Sequence, residues 1–198
     1  MGELTDIQVD ALREMGNIGA GNAATALSQL ISEAVDLSIP AVTMIPLEKV
    51  SYALGGPEKL AYVVYLEVQR QMKGTMLTVY SPESALFLVK KLLGDQCVDM
   101  ETELSCSALK ELGSILCGSY LSALAQVINL NAVAGVPALA YDMLGAMMDF
   151  ILAEIGQVAD EVFFIDSELF VQETKVECSQ LFIPNPEALE QILSGLGM

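Results

Sequence analysis

Glu14 and Asn17 stand one helical turn apart in the stretch DALREMGNIGAGNAATALSQLI, residues 10–31. At helical pitch this spacing sets a carboxylate and a carboxamide on one face. Asp10 and Gly21 share that face: at 100° per residue the four positions fall within about 60° of one another. Neither polar group is a strong nucleophile. A carboxamide can accept a hydrogen from a water while donating elsewhere, which fixes the water's orientation. A carboxylate can pair with a lysine and hold a partner in register. Such positioning suffices when the reacting centre is already activated, the role of the glutamine that orients water in GTPases.

The rest of the helix fits this use. Leu12, Met15, Gly16, Gly19, Ala23 and Leu27 form an apolar back, where the two glycines allow close packing. Gly21 is on the front, where a missing side chain lets another backbone approach. An interior glycine costs about 1 kcal/mol relative to alanine, and asparagine gains nothing evident mid-helix. Glu14 and Asn17 are expected to be exposed, so that replacing either changes stability by about 0.5 kcal/mol or less. The competing reading is an ordinary solvated helix face.

The elements that hold this face occur twice. A helix is predicted over 6–32, capped by Thr5 with Gln8 at the capping-box position. Strands follow at 39–46, 60–69 and 73–80, and Ser81-Pro82-Glu83 opens a helix to Leu93. After the polar connector GDQCVDMETE come a helix at 106–128, a strand at 132–140, an extra helix at 142–155, and strands at 161–172 and 174–183. Asn185-Pro186-Glu187 opens the last helix. Asp10/Ser107, Glu14/Glu111, Asn17/Ser114 and Pro40/Pro137 are each 97 positions apart, as are Gly16/Gly113 and Gly21/Gly118. The pattern predicts an α+β fold of duplicated α-β-β-β-α units with pseudo-twofold symmetry. Its halves, about 1–96 and 97–198, form one domain with a sheet packed against helices.

Composition narrows the functions. Hydrophobic residues make up 53% of 198, enough for a large core, and the net charge is −17. That charge disfavours nucleic acid and anionic membranes and suits a basic protein surface. Histidine is absent, which removes the commonest general base and metal ligand. Cys97, Cys106, Cys117 and Cys178 show no CxxC spacing and read as buried, reduced thiols of a cytoplasmic protein. No metal site is expected. Leu112 to Tyr141 carries no charge, but its serines, Gln126, Asn129, Asn131 and Pro137 make it a buried helix, a turn and a buried strand rather than a membrane span. The acidic, polar N-terminus is no signal peptide.

The spacing D-x3-E-x2-N-x22-P at Asp10, Glu14, Asn17 and Pro40, with ALREMGNIGAGNAATALSQLI around it, resembles the signature of the CheC/CheX/FliY chemotaxis phosphatases. The resemblance covers essentially the whole chain. It implies hydrolysis of the aspartyl phosphate of the response regulator CheY. Glu14 would pair with the regulator's phosphate-binding lysine, and Asn17 would place water for in-line attack. The Mg²⁺ would belong to the phosphorylated partner, so the chain needs no cofactor of its own. The resemblance also implies a second partner, the receptor deamidase CheD, with Asp142 as a contact. A non-catalytic module that sequesters or regulates CheD is the alternative function. Two motif copies, and an end at Met198 just after the second half, fit the CheC-like branch and a monomer. Asp10, Gly21, Ser107 and Gly118 border the docking faces. Ser114 departs from the pattern. A hydroxyl lacks the spaced donor and acceptor of an amide, so Glu111 and Ser114 form the weaker pair and the Asn17 side carries most of the turnover.

Overall fold

The computed structural model describes residues 5–97, 99–155 and 161–196. The first half runs α1 (Asp6–Ile31), β1 (Val35–Pro46), a short α2 (Val50–Ala53), β2 (Leu60–Arg70), β3 (Gly74–Tyr80) and α3 (Pro82–Leu93). The second runs α4 (Glu103–Ile128), β4 (Ala132–Ala134), β5 (Ala138–Met143), α5 (Leu144–Ile155), β6 (Glu161–Val171), β7 (Thr174–Val176), β8 (Cys178–Pro184) and α6 (Pro186–Gly195).

Local chemistry sets the helix ends. The Thr5 N–H donates to Gln8 Oε1 at 2.7 Å, and α1 stops at Ser32 in the left-handed region. The Thr102 hydroxyl accepts from the Ser105 N–H at 3.1 Å, and α4 stops at Asn129, also left-handed. Both helices have 26 residues, and their ends keep the spacing of 97. The sequence places the start of α4 at 106. Thr102, a cap inside the polar connector, moves it earlier. Ser81 and Asn185 cap α3 and α6 ahead of their prolines, as expected.

All strand pairs are antiparallel in one eight-stranded sheet. The order is β1-β6-β8-β3-β2, with β4 and β5 along the outer flank of β2 and β7 beside β6. Each half's first strand therefore pairs with the other half: β1 with β6, and β4 and β5 with β2. From either edge the order reads alike.

The sheet is covered on both faces. Leu12 and Leu27 of α1, Leu88 of α3, Leu109 and Leu112 of α4 and Ile192 of α6 pack on Val64, Leu66 and Met76. Leu144, Met147 and Met148 of α5, with Val50 of α2, pack on Val63, Leu77 and Val79 of the other face. Alternate residues of β2 and β3 thus serve two cores, the period expected of a strand. By length and composition α4 could cross a membrane; here Leu109, Leu112, Cys117 and Leu124 are buried in the first core.

Three expectations are corrected. Residues 132–140 are not one buried strand. They are two edge pieces, because Gly135 turns its N–H to the Glu67 carbonyl at 2.7 Å and Pro137 has none to give. The helix expected at 142–155 begins at Leu144, leaving Asp142 in β5 opposite Ala61. Nor is that helix simply extra, since Leu47–Lys49 and α2 fill the same place in the first half with fewer residues.

Candidate functional site

On α1, Asp10, Glu14, Asn17 and Gly21 are all exposed, while Leu12, Met15, Gly16, Gly19 and Ala23 are buried behind them. A Cβ on Gly21 would meet nothing within 4 Å, so the front is open to an approaching backbone. Glu14 makes no ion pair or side-chain hydrogen bond with a described residue. Asp10 is taken: it pairs with Arg13 at 3.0 Å on the surface. Ile18, one turn from both Glu14 and Gly21, is 46% exposed. Sequence reasoning singled out neither Arg13 nor Ile18.

Asn17 does more than face solvent. Its Nδ2 donates to the Arg13 and Ile39 carbonyls, both at 3.1 Å, and its Oδ1 accepts from the Ile39 N–H at 2.8 Å. Ile39 lies on an edge strand, and β1 bulges against β6 there. Ser38 pairs with Glu168 and Ala41 with Asp166, so Ile39 and Pro40 together face one residue of β6. Pro40 has no N–H for the ladder. The Ile39 side chain is 2% exposed, and a Cβ on Gly16 would stand 3.0 Å from its Cγ2. The N-x22-P spacing thus has a physical meaning: the asparagine grips the peptide just before the proline. This also corrects the expectation that Asn17 is an ordinary surface residue for stability.

The second face differs in kind. Ser107 and Glu111 are exposed, and Ser114 and Gly118 half-buried. The Ser114 hydroxyl donates to the Lys110 carbonyl at 2.8 Å, a bond within its own helix. No strand is gripped. Val136, the counterpart of Ile39, is 91% exposed in the break between β4 and β5. Gly113 instead faces Val64 of β2.

Residues 7–44, the span from α1 through the bulge, match the CheC-like family. The chain is 31% identical over 196 residues to the CheY-P phosphatase CheC of Bacillus subtilis, covering 96% of this chain and 94% of that protein. The chain belongs to the CheC-like family. It is also 31% identical over 130 residues to the flagellar motor switch phosphatase FliY of B. subtilis, covering 64% of this chain and 34% of that protein. Among solved structures, Thermotoga maritima FliY shares the fold with a TM-score of 0.75 at 18% identity, covering 98% of this chain and 97% of that one.

In this CheC-like chain Asp142 lies away from both helix faces, beside α5 on the other side of the sheet. Its Oδ1 accepts from the Met143 N–H at 2.7 Å, so it caps no helix. It borders an apolar groove of about 380 Å³ with Tyr65, Leu139, Tyr141, Met147 and Phe150. No group of three or more metal-ligating side chains occurs among the described residues. Cys117 and Cys178 are buried, and burial pushes both thiols up to about 12. Cys97 is buried too, and Cys106 half-buried.

Proposed function

We infer that the protein hydrolyses the aspartyl phosphate of CheY. The observation that carries this is the state of Asn17: its amide is fixed by Ile39 yet exposed, beside a carboxylate unpaired among the described residues and a bare glycine. Glu14 docks on the regulator's lysine, and Ile18 adds apolar contact. Asn17 Oδ1 accepts a hydrogen bond from a water and leaves the water oxygen facing phosphorus. That oxygen bonds to phosphorus as the bond from phosphorus to the aspartyl oxygen breaks. The products are the free carboxylate and inorganic phosphate, which keeps the water's protons. Mg²⁺ comes with the phosphorylated partner. The names of the B. subtilis relatives support this reading. The protein works as a cytoplasmic monomer, and its two halves derive from a duplication. Phosphate release from phosphorylated CheY, with catalytic amounts of protein, is the test. Glu14→Ala and Asn17→Ala should each remove most of the rate, and a fully active double variant would remove the assignment.

The second reading, a module that holds CheD, is favoured by the apolar groove beside Asp142. The two readings are compatible, because that groove and the α1 face lie on different sides of the sheet. Asp142→Lys should weaken capture of CheD while phosphate release continues. Unchanged capture would remove Asp142 from that interface.

A further inference from the structure

The geometry points to Ile39 and Pro40 as positioning residues, which aim Asn17 without touching the phosphoryl group; this rests on the phosphatase reading above. A carboxamide has two N–H hydrogens and two acceptor lone pairs. Both hydrogens of Asn17 are spent on the Arg13 and Ile39 carbonyls, and one lone pair on the Ile39 N–H. A single acceptor site is left on an exposed residue. The amide can therefore take a hydrogen from water but give none, and it cannot rotate without breaking two bonds to β1. A water held this way presents its own lone pair outward, as an attacking water must.

The device depends on a kinked strand. β1 is an edge strand, so its backbone groups that face away from β6 are open to a side chain. The bulge between Ser38 and Ala41 sets Ile39 and Pro40 against one residue of β6, and Pro40 supplies no donor that could draw the strand back into register. Gly16 completes the seat, since it leaves room on α1 for the Ile39 side chain. The second half serves as an internal contrast. Ser114 bonds within its own helix, and Val136 has left both helix and ladder. The second half keeps the kink, with Ala134 opposite Val68 and Ala138 opposite Tyr65 around Pro137, but it lacks both the amide and the grip.

Two variants test this without touching Glu14 or Asn17. Pro40→Ala returns a donor to the kink. Gly16→Ala pushes on Ile39 from the helix side with a Cβ that would lie 3.0 Å from its Cγ2, while alanine strengthens the helix itself. The readouts are hydrogen exchange of the Ile39 amide and the separate kcat and KM for phosphorylated CheY. In the wild type the Ile39 amide should exchange slowly, and in Asn17→Ser quickly. In Pro40→Ala and Gly16→Ala exchange should quicken and kcat fall about ten- to hundredfold, with KM within about twofold. A merely structural role would not single out kcat. Faster exchange with kcat intact overturns the positioning role and leaves the phosphatase reading standing. Unchanged exchange in both variants, or slow exchange in Asn17→Ser, shows that the kink does not hold the amide and overturns it as well. An inactive wild type overturns both.

Discussion

Gly19 of α1 and Tyr120 of α4 meet backbone to backbone: a Cβ on Gly19 would stand 2.9 Å from the Tyr120 Cα and 2.8 Å from the Ser119 carbonyl oxygen. The crossing fixes how the two candidate faces are held relative to each other. No flexible side chain is there to give way. Gly19→Ala should therefore destabilise the protein by about 1–3 kcal/mol, although alanine is the better helix former. Gly21→Ala has open space and should stabilise by about 1 kcal/mol while raising KM for the phosphorylated partner. Urea unfolding of both variants checks the pair; a stabilised Gly19→Ala would mean that the helices do not cross this closely.

Glu14 and Asn17 should separate in stability even though both are exposed. Glu14→Ala removes no bond and should shift stability by about 0.5 kcal/mol or less. Asn17→Ala strands the N–H and carbonyl of Ile39 and should cost about 1–3 kcal/mol. Equal unfolding midpoints for the two variants would show that the grip on β1 is not formed in solution.

Ser114→Asn should fail to rescue an Asn17→Ala protein. Adding the amide does not bring Val136 back to α4, since Val136 is 91% exposed where Ile39 is buried. Phosphate release by the double variant should stay within about twofold of Asn17→Ala alone. Recovery to near the wild-type rate would show that the missing amide was the second face's only defect.

Alkali should unfold the protein through its buried thiols. Below about pH 9 both forms keep these protons and the thiols leave stability unchanged. From about 9 up to the folded value of about 12 for Cys117 and Cys178, the unfolded chain gives up protons that the folded chain keeps. Stability then falls with rising pH, by up to about 1.4 kcal/mol per unit for each thiol. Buried Tyr80 and Tyr120, also raised by burial, act in the same direction. Urea midpoints measured upward from about pH 8 should decline, and Cys117→Ala should flatten the decline. An unchanged slope would take Cys117 out of the account.

Much of this was readable in the sequence because periodicity and caps are local. The span of α1, the hairpin strands and the proline-led helices α3 and α6 follow from such signals. So did the exposed row of Asp10, Glu14, Asn17 and Gly21. What could not be read is non-local. The grip of Asn17 on Ile39 sits at a bulge whose partner, β6, lies far along the chain. The break at Gly135–Pro137 depends on a hydrogen bond to Glu67, and the turn of helix before β2 on a core shared with α5. The proline that closes the spacing marked the place of the grip, but not its geometry.

The exchanged strands also govern the order of synthesis. As the chain leaves the ribosome, α1 and β1 emerge first, yet Val35 must wait for Val171 and Pro46 for Glu161. Until β6 is made, the edge of β1 has no permanent partner, and β2 and β3 await β5 and β8. Neither half can finish a sheet alone. The nascent chain carries unpaired strand edges through most of its translation, at about 5–20 residues per second. The fold closes late and as a whole, so the face built around Asn17 matures only after nearly all of the protein has been made.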